Sequence, residues 1–254
     1  GAPLGPVILD ANRLTVTVNP GAQVGSPAIV EVDDPSGTVQ VVNQAVTHIS
    51  PKGCVVRLTL TKQHQLTVSG CVGKGQQALE QELAIQAPLS YTAGVVRRAL
   101  DRMHISLEGQ ILLGAPPTDG LLLSKEYAKP VSQLIADTLK DSDNLYADSL
   151  FLHAAHILNG SPVDWEKAQL LVKSFLQNHT GIDLTQAVLV DGSGLSRLDR
   201  LTPAQTVGLL QFLYQKFPVT YEYIAALPVS GRDGTLASRL ILPAQQDFIR
   251  AKTG

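Results

Sequence analysis

No apolar stretch in this chain approaches the roughly 20 residues that a helix needs to cross a bilayer. Runs such as Ile111-Leu112-Leu113 and Leu121-Leu122-Leu123 fall far short, so a soluble chain is expected, with membrane association at most peripheral. There is equally no cluster of Lys and Arg interleaved with aromatics, and the net charge is only -2. The field needed to neutralise many phosphates is missing, and no nucleic-acid partner is expected. The opening residues Gly1-Ala2-Pro3-Leu4-Gly5 lack a charged segment followed by an apolar one. Any export signal is therefore expected to have been removed or to lie outside this segment. There is no internal repeat and no low-complexity tract, and cysteine occurs only twice.

What is present is an ordinary globular composition: 254 residues, 44% hydrophobic and 17% charged, enough for one or two domains with a substantial core. Up to about residue 86 the pattern is of short strands, Arg13-to-Val18, Ala28-to-Val32 and Val39-to-Val42, separated by Pro, Gly, Asn and Asp turns. Cys54 and Cys71 flank two further β-branched runs around the polar loop Thr61-Lys62-Gln63-His64, which reads as a hairpin. If Leu60 pairs with Gln65, counting back along both strands brings Cys54 opposite Cys71, within reach of a disulfide. Such a bond implies an oxidising compartment; two free buried thiols are the alternative.

From Ser90, a plausible N-cap, the texture becomes helical. Pro130 leads into an apolar stripe through Val131, Leu134, Ile135 and Leu139, which ends at Lys140-Asp141-Ser142-Asp143-Asn144, and a second stripe follows through Leu145, Leu150, Phe151 and Leu152. The polar triplet Ser142-Asp143-Asn144 is thereby predicted at a helix-helix junction, with Asp143 capping the second helix. Further helices are signalled by Ser161-Pro162 before Trp165-to-Leu176, closed by Gly181, and by Thr202-Pro203 before Val207, Leu210 and Leu213. Phe248-to-Gly254 alternates like a strand.

Two short motifs carry chemistry. A Ser-x-Asn match such as Ser142-x-Asn144 is expected roughly once by chance in a chain of this length, and Lys252-Thr253-Gly254 only about 0.05 times. In this order, one at a helix junction and one on a strand, they match the second and third elements of the serine acyl-transferase set. Together with Asp191-Gly192-Ser193-Gly194-Leu195-Ser196-Arg197 and Pro228-Val229-Ser230-Gly231-Arg232-Asp233-Gly234-Thr235-Leu236, they resemble the class C low-molecular-mass penicillin-binding proteins, the dacB-type D-alanyl-D-alanine carboxypeptidases/endopeptidases. The likeness covers nearly the whole chain, and the cysteine hairpin resembles the β-rich region this family inserts between its first and second motifs.

The resemblance implies an α+β fold: an incomplete β-lactamase/transpeptidase-like domain over residues 123–254, preceded by a β-rich inserted region over 1–122. It implies a serine-type carboxypeptidase/endopeptidase acting on peptidoglycan peptides that end in D-Ala-D-Ala, acylated by β-lactam antibiotics, and periplasmic or otherwise extracytoplasmic. Ser142 would relay a proton to the leaving amine, Asn144 would hold the substrate amide, and Lys252 and Thr253 would bind the terminal carboxylate. Gly254 would let substrate lie against the strand edge, and Arg197 would also face the carboxylate unless it is a surface arginine on a turn. No cofactor is expected. His153 and His156 lie three apart, yet nothing completes a metal site around them.

The departure from the family is the first motif. None of the ten lysines has a serine three positions before it. Thr59-Leu60-Thr61-Lys62 comes nearest, but on a hairpin its ends point to opposite faces. A nucleophile and its lysine need one helix face, which this hairpin does not offer. The motif order of the family that the chain resembles places Ser-x-x-Lys before the β-rich insertion, so the resemblance implies that it lies upstream of these residues. A non-catalytic relative that binds peptidoglycan or a partner protein would explain the missing nucleophile but not the intact Ser-Asp-Asn and Lys-Thr-Gly. A β-lactamase would use Lys252 similarly but leaves the long β-rich region unexplained.

Overall fold

The computed structural model describes residues 3–115, 119–121, 124–125 and 127–254. The chain divides into two compact units, Gly1–Leu121 and Leu122–Gly254; the boundary expected at 122 and 123 falls outside the described residues.

Among the described residues the first unit holds seven strands: β1 (Arg13–Asn19), β2 (Ile29–Asp33), β3 (Gln40–Asn43), β4 (Val46–His48), β5 (Val56–Leu60), β6 (Gln65–Gly73) and β7 (Leu79–Ala84). β1 lies between β2 and β7, antiparallel to both. In the second sheet β3 and β4 run parallel to β6 in one register, Gln40 opposite Gln65 and Val46 opposite Cys71, while β5 pairs with β6 as the antiparallel hairpin. Alternation along β1 buries Leu14, Val16 and Val18. Val16 and Val18 meet Leu66, Val68 and Val72 of β6 in one core cluster, so the inward faces of the two sheets share their apolar side chains. A single helix, α1 (Pro88–Arg102), closes a smaller cluster of Leu14, Ile85 and Tyr91. The Tyr91 hydroxyl donates to Asp10 at 2.6 Å, and burial, reinforced by that carboxylate, pushes the phenol well above its ordinary pKa.

Two expectations need correction here. α1 starts at Pro88 with Ala87 as N-cap, not at Ser90, because proline suits the first helical position, where its missing N–H would have had no partner. The hairpin register is also shifted by one: Leu60 faces Leu66 rather than Gln65. His64 takes a left-handed φ of 61° and its N–H donates to the Thr61 carbonyl at 3.1 Å, giving a three-residue loop of the turn-plus-left-handed-residue type. The disulfide survives the shift. β5 begins only at Val56, Gly70 has φ 97°, and a Cβ there would lie 2.0 Å from the Val55 carbonyl oxygen. At that distortion the Cys71 N–H reaches the Val55 carbonyl, and Cys54 and Cys71 are bonded with their Cα atoms 5.0 Å apart.

The second unit contains α2 (Val131–Asp141), α3 (Asn144–Asn159), α4 (Trp165–Thr180), α5 (Pro203–Gln215), α6 (Val219–Ala226) and a tight turn at Gly234–Leu236. α2 packs on α3, on α6 and on that turn, and α3 packs on α4. The caps follow sequence chemistry. Asp143 accepts from the Tyr146 N–H, Asp164 accepts from the Lys167 N–H, and Thr202 and Gln205 form a reciprocal capping box at α5. Gly181 ends α4 in the left-handed conformation. The expected strand over Phe248-to-Gly254 is reduced to one antiparallel bridge, Val229 with Arg250. Among the described residues, no helix is long and apolar enough to cross a membrane.

Candidate active site

Ser142 ends α2 with φ 57°, and the next residue, Asp143, already caps α3. Three consecutive residues thus serve as the stop of one helix, the cap of the next and, in Asn144, its first turn. This places the Ser142 hydroxyl at the corner between the two helices. From the other end of the unit, Lys252 reaches that corner: its Nζ donates to Ser142 Oγ at 2.6 Å, across 110 positions of sequence, and also to the Thr253 carbonyl.

The segment carrying Lys252 is clamped by Ser230, which is fully buried. Its Oγ donates to the Gln245 carbonyl at 2.6 Å and accepts from the Ile249 N–H at 3.1 Å, while its own N–H donates to the Ile249 carbonyl. The Ala251 N–H donates to the Pro228 carbonyl. Pairing with residues 228–230 thereby fixes the three residues before Lys252.

A second set of contacts lies beside this one, and sequence reasoning did not assign it a role. Lys140, two residues before Ser142, pairs with Asp233 Oδ2 at 2.6 Å and donates to the Leu227 carbonyl at 3.3 Å. The other Asp233 oxygen accepts from the Val229 N–H at 2.9 Å. The hydrogen bond from the Lys140 ammonium holds the Asp233 carboxyl below its ordinary pKa. Gly234 follows with φ 54°, so close to α2 that a Cβ would lie 2.7 Å from the Lys140 carbonyl oxygen. Thr235 then accepts a hydrogen bond from Thr253 Oγ1 at 2.9 Å. The only signal available beforehand was the quoted motif that contains Asp233 and Thr235; nothing in it names Lys140 as a partner.

The glycine-rich loop is held by carboxylates. Asp148 Oδ1 on α3 accepts from both the Gly192 and the Ser193 N–H at 2.9 Å. Asp191 accepts from the Gly194 and Ser196 N–H groups, and Asp199 accepts from the Val190 N–H at 2.5 Å. Burial raises the Asp199 carboxyl above its ordinary pKa. A Cβ on Gly192 would lie 2.5 Å from the Ala147 carbonyl oxygen, so this loop needs glycine to lie against α3.

The sequence-derived residues divide accordingly. Ser142, Lys252 and Thr253 share one constellation of contacts. Asn144, half-buried, is the first residue of α3 at the same corner. Gly254 has no atom within 4 Å of where a Cβ would stand. Arg197 is exposed, and no contact among the described residues links it to Ser142 or Lys252. The His153 and His156 rings stand 6.3 Å apart, centroid to centroid. Among the described residues, no group of three or more His, Cys, Asp or Glu is placed to hold a metal ion.

Comparison with known proteins supplies the lineage. The chain is 32% identical over 251 residues to D-alanyl-D-alanine carboxypeptidase DacB of Haemophilus influenzae, covering 97% of this chain and 50% of that protein. It is 27% identical over 256 residues to D-alanyl-D-alanine carboxypeptidase of Actinomadura, covering 96% and 46%. The chain thus spans about half the length of these curated relatives. Among solved structures it resembles penicillin binding protein 4 (dacB) from Haemophilus influenzae complexed with a β-lactam, with a TM-score of 0.82, 28% identity, and coverage of 97% of this chain and 57% of that one. This likeness establishes the α+β, transpeptidase-like fold. Residues 1–254 match the family described as D-Ala-D-Ala carboxypeptidase 3 (S13) throughout, and the chain belongs to that family.

Proposed function

We propose that the second unit is part of the active site of a penicillin-sensitive, serine-type D-alanyl-D-alanine carboxypeptidase/endopeptidase. In this reading the first unit is the family's β-rich insertion, and the protein works on peptidoglycan peptides outside the cytoplasm, where the Cys54–Cys71 disulfide persists. One observation carries it: the 2.6 Å hydrogen bond from Lys252 to Ser142, which unites two otherwise weak motifs in one place.

The chemistry is acyl transfer. A serine nucleophile attacks the carbonyl between two D-alanines, the leaving amine takes a proton, and water later hydrolyses the acyl-enzyme. Ser142 accepts a hydrogen bond from Lys252, which turns its own proton away from the lysine and toward a bound substrate. It is thereby oriented to pass that proton to the leaving amine and to be reprotonated in turn. Lys252 brings positive charge and Thr253 a hydroxyl to the terminal carboxylate. Asn144, at the start of α3 beside Ser142, is assigned to hold the substrate amide through its side chain. Arg197, exposed on the loop after Gly194, is assigned to the same terminal carboxylate. The nucleophile itself, with its Ser-x-x-Lys lysine, is not among these 254 residues.

The test is acylation by a fluorescent penicillin, followed on a denaturing gel. The 254-residue chain forms no adduct, and the full-length protein forms one. In the full-length protein Ser142→Ala slows acylation by about 10²- to 10⁴-fold with the fold intact. A stable adduct on the 254-residue chain, or acylation of folded Ser142→Ala at the parental rate, defeats the assignment.

A further inference from the structure

The contacts around Ser142 form a closed ring. Going round it, Ser142 is two residues from Lys140, which pairs with Asp233 at 2.6 Å. Asp233 is two residues from Thr235, which is hydrogen-bonded to Thr253 at 2.9 Å. Thr253 adjoins Lys252, whose Nζ returns to Ser142 at 2.6 Å. Three short covalent links and three polar contacts therefore define the position of one hydroxyl relative to one ammonium. Each link is itself stiff. Lys140 is additionally tied to the Leu227 carbonyl and Asp233 to the Val229 N–H, and Gly234 lies against the Lys140 carbonyl closely enough to exclude a side chain.

We propose that Lys140, Asp233 and Thr235 are positioning residues of the acyl-transfer site, holding Ser142 and Lys252 in register and setting the donor direction of the Thr253 hydroxyl. The proposal rests on the function assigned above. Lys140 and Asp233 touch no reacting atom; they act on Ser142 through the end of α2, where a shift of about 1 Å in a reacting geometry is enough to cost up to about 10²-fold in rate. Thr235 acts differently. In the free site Thr253 donates to Thr235. When a substrate carboxylate arrives, Thr253 donates to that carboxylate instead, and Thr235 rotates its own hydroxyl to donate to Thr253. No proton changes owner. The reversal leaves neither hydroxyl unpaired, and the hydrogen bond Thr253 receives strengthens the one it gives. Valine at 235 keeps the shape but removes that donor.

The experiment uses the full-length protein and stopped-flow acylation by a penicillin, alongside hydrolysis of a D-Ala-D-Ala peptide and of its C-terminal amide. Asp233→Asn and Thr235→Val each slow acylation by about 10- to 100-fold, while Thr235→Ser stays within about twofold of the parent because it restores the hydroxyl. Thr235→Val loses more kcat/KM on the free acid than on the amide. In a Ser142→Ala background, Asp233→Asn adds little further loss, because the residue through which it acts is already gone. If Asp233→Asn does not fold, Asp233→Glu, which keeps the charge but displaces it, carries that arm.

The outcomes separate the two levels. Parental acylation in folded Asp233→Asn and Thr235→Val, with Ser142→Ala still slow, overturns the ring and leaves the proposed function standing. So do multiplicative losses of Asp233→Asn with Ser142→Ala, or equal losses of Thr235→Val on acid and amide. Parental acylation in Ser142→Ala overturns the function beneath both.

Discussion

Replacing both members of the Cys54–Cys71 pair with serine tests the link between hairpin and stability quantitatively. In the folded hairpin little changes: β5 and β6 remain paired from Val56 opposite Gly70 to Leu60 opposite Leu66, and the Cys71 N–H still reaches the Val55 carbonyl. The effect falls on the unfolded chain, which regains the freedom of a loop whose ends are 17 positions apart. The chain-entropy relation for such a loop gives about 3 kcal/mol at 25 °C. With a denaturant slope of about 1–3 kcal/mol/M in urea, the unfolding midpoint of the β-rich unit, followed by far-UV circular dichroism, falls by about 1–3 M. Reduction of the parent protein reproduces the loss, and neither thiol is alkylated before reductant is added. A midpoint shift below about 0.5 M at unchanged slope refutes the reasoning, since the unfolded hairpin would then be as constrained without the bond as with it.

Asp233 gives a pH signature. Its folded pKa lies below the ordinary value of 3.8 through the Lys140 hydrogen bond, so the stabilisation is fully present above that value and is lost as pH falls through the folded pKa. Urea midpoints of the parent and Asp233→Asn, compared from pH 6 down to about pH 2, therefore converge on the acid side; a constant gap removes the ion pair as the cause. Asp148→Ala leaves the Gly192 and Ser193 N–H groups without the carboxylate that accepts from both. The loss is about 2 kcal/mol, with faster amide hydrogen exchange at those two positions; unchanged exchange there denies Asp148 its role.

What could be read from the sequence follows the range of the interactions. Asp143, Thr202 and Gly181 act within one helical turn, and their capping roles are visible in local patterns. β1 was legible because strict alternation buries Leu14, Val16 and Val18 on one face. The hairpin register was missed by one because His64 adopts a left-handed conformation that residue type signals only weakly. The Lys252 segment looked like a strand, yet among the described residues its one bridge is that of Arg250 to Val229; alternation describes a tendency, while pairing depends on which neighbour is at hand. In the site, motif order brought Ser142 and Lys252 to attention together. The partnership of Lys140 with Asp233, 93 positions apart, had no local trace. A lysine in the last turn of a helix is ordinary, and only the folded chain identifies its partner.

Ser142 occupies a backbone conformation that suits glycine better. A φ of 57° at the end of α2 crowds a Cβ against the chain and costs a non-glycine residue roughly 1 kcal/mol or more. Helix stops of this shape are commonly glycine, as at Gly160 and Gly181 in this same unit. At this corner, then, the catalytic role proposed for Ser142 and the thermodynamic preference of the backbone pull in opposite directions. Ser142→Gly should raise the melting temperature of the protein while abolishing its normal rate of acylation. A variant selected for heat resistance alone would drift toward glycine here, and the hydroxyl would be retained only where selection also demanded turnover.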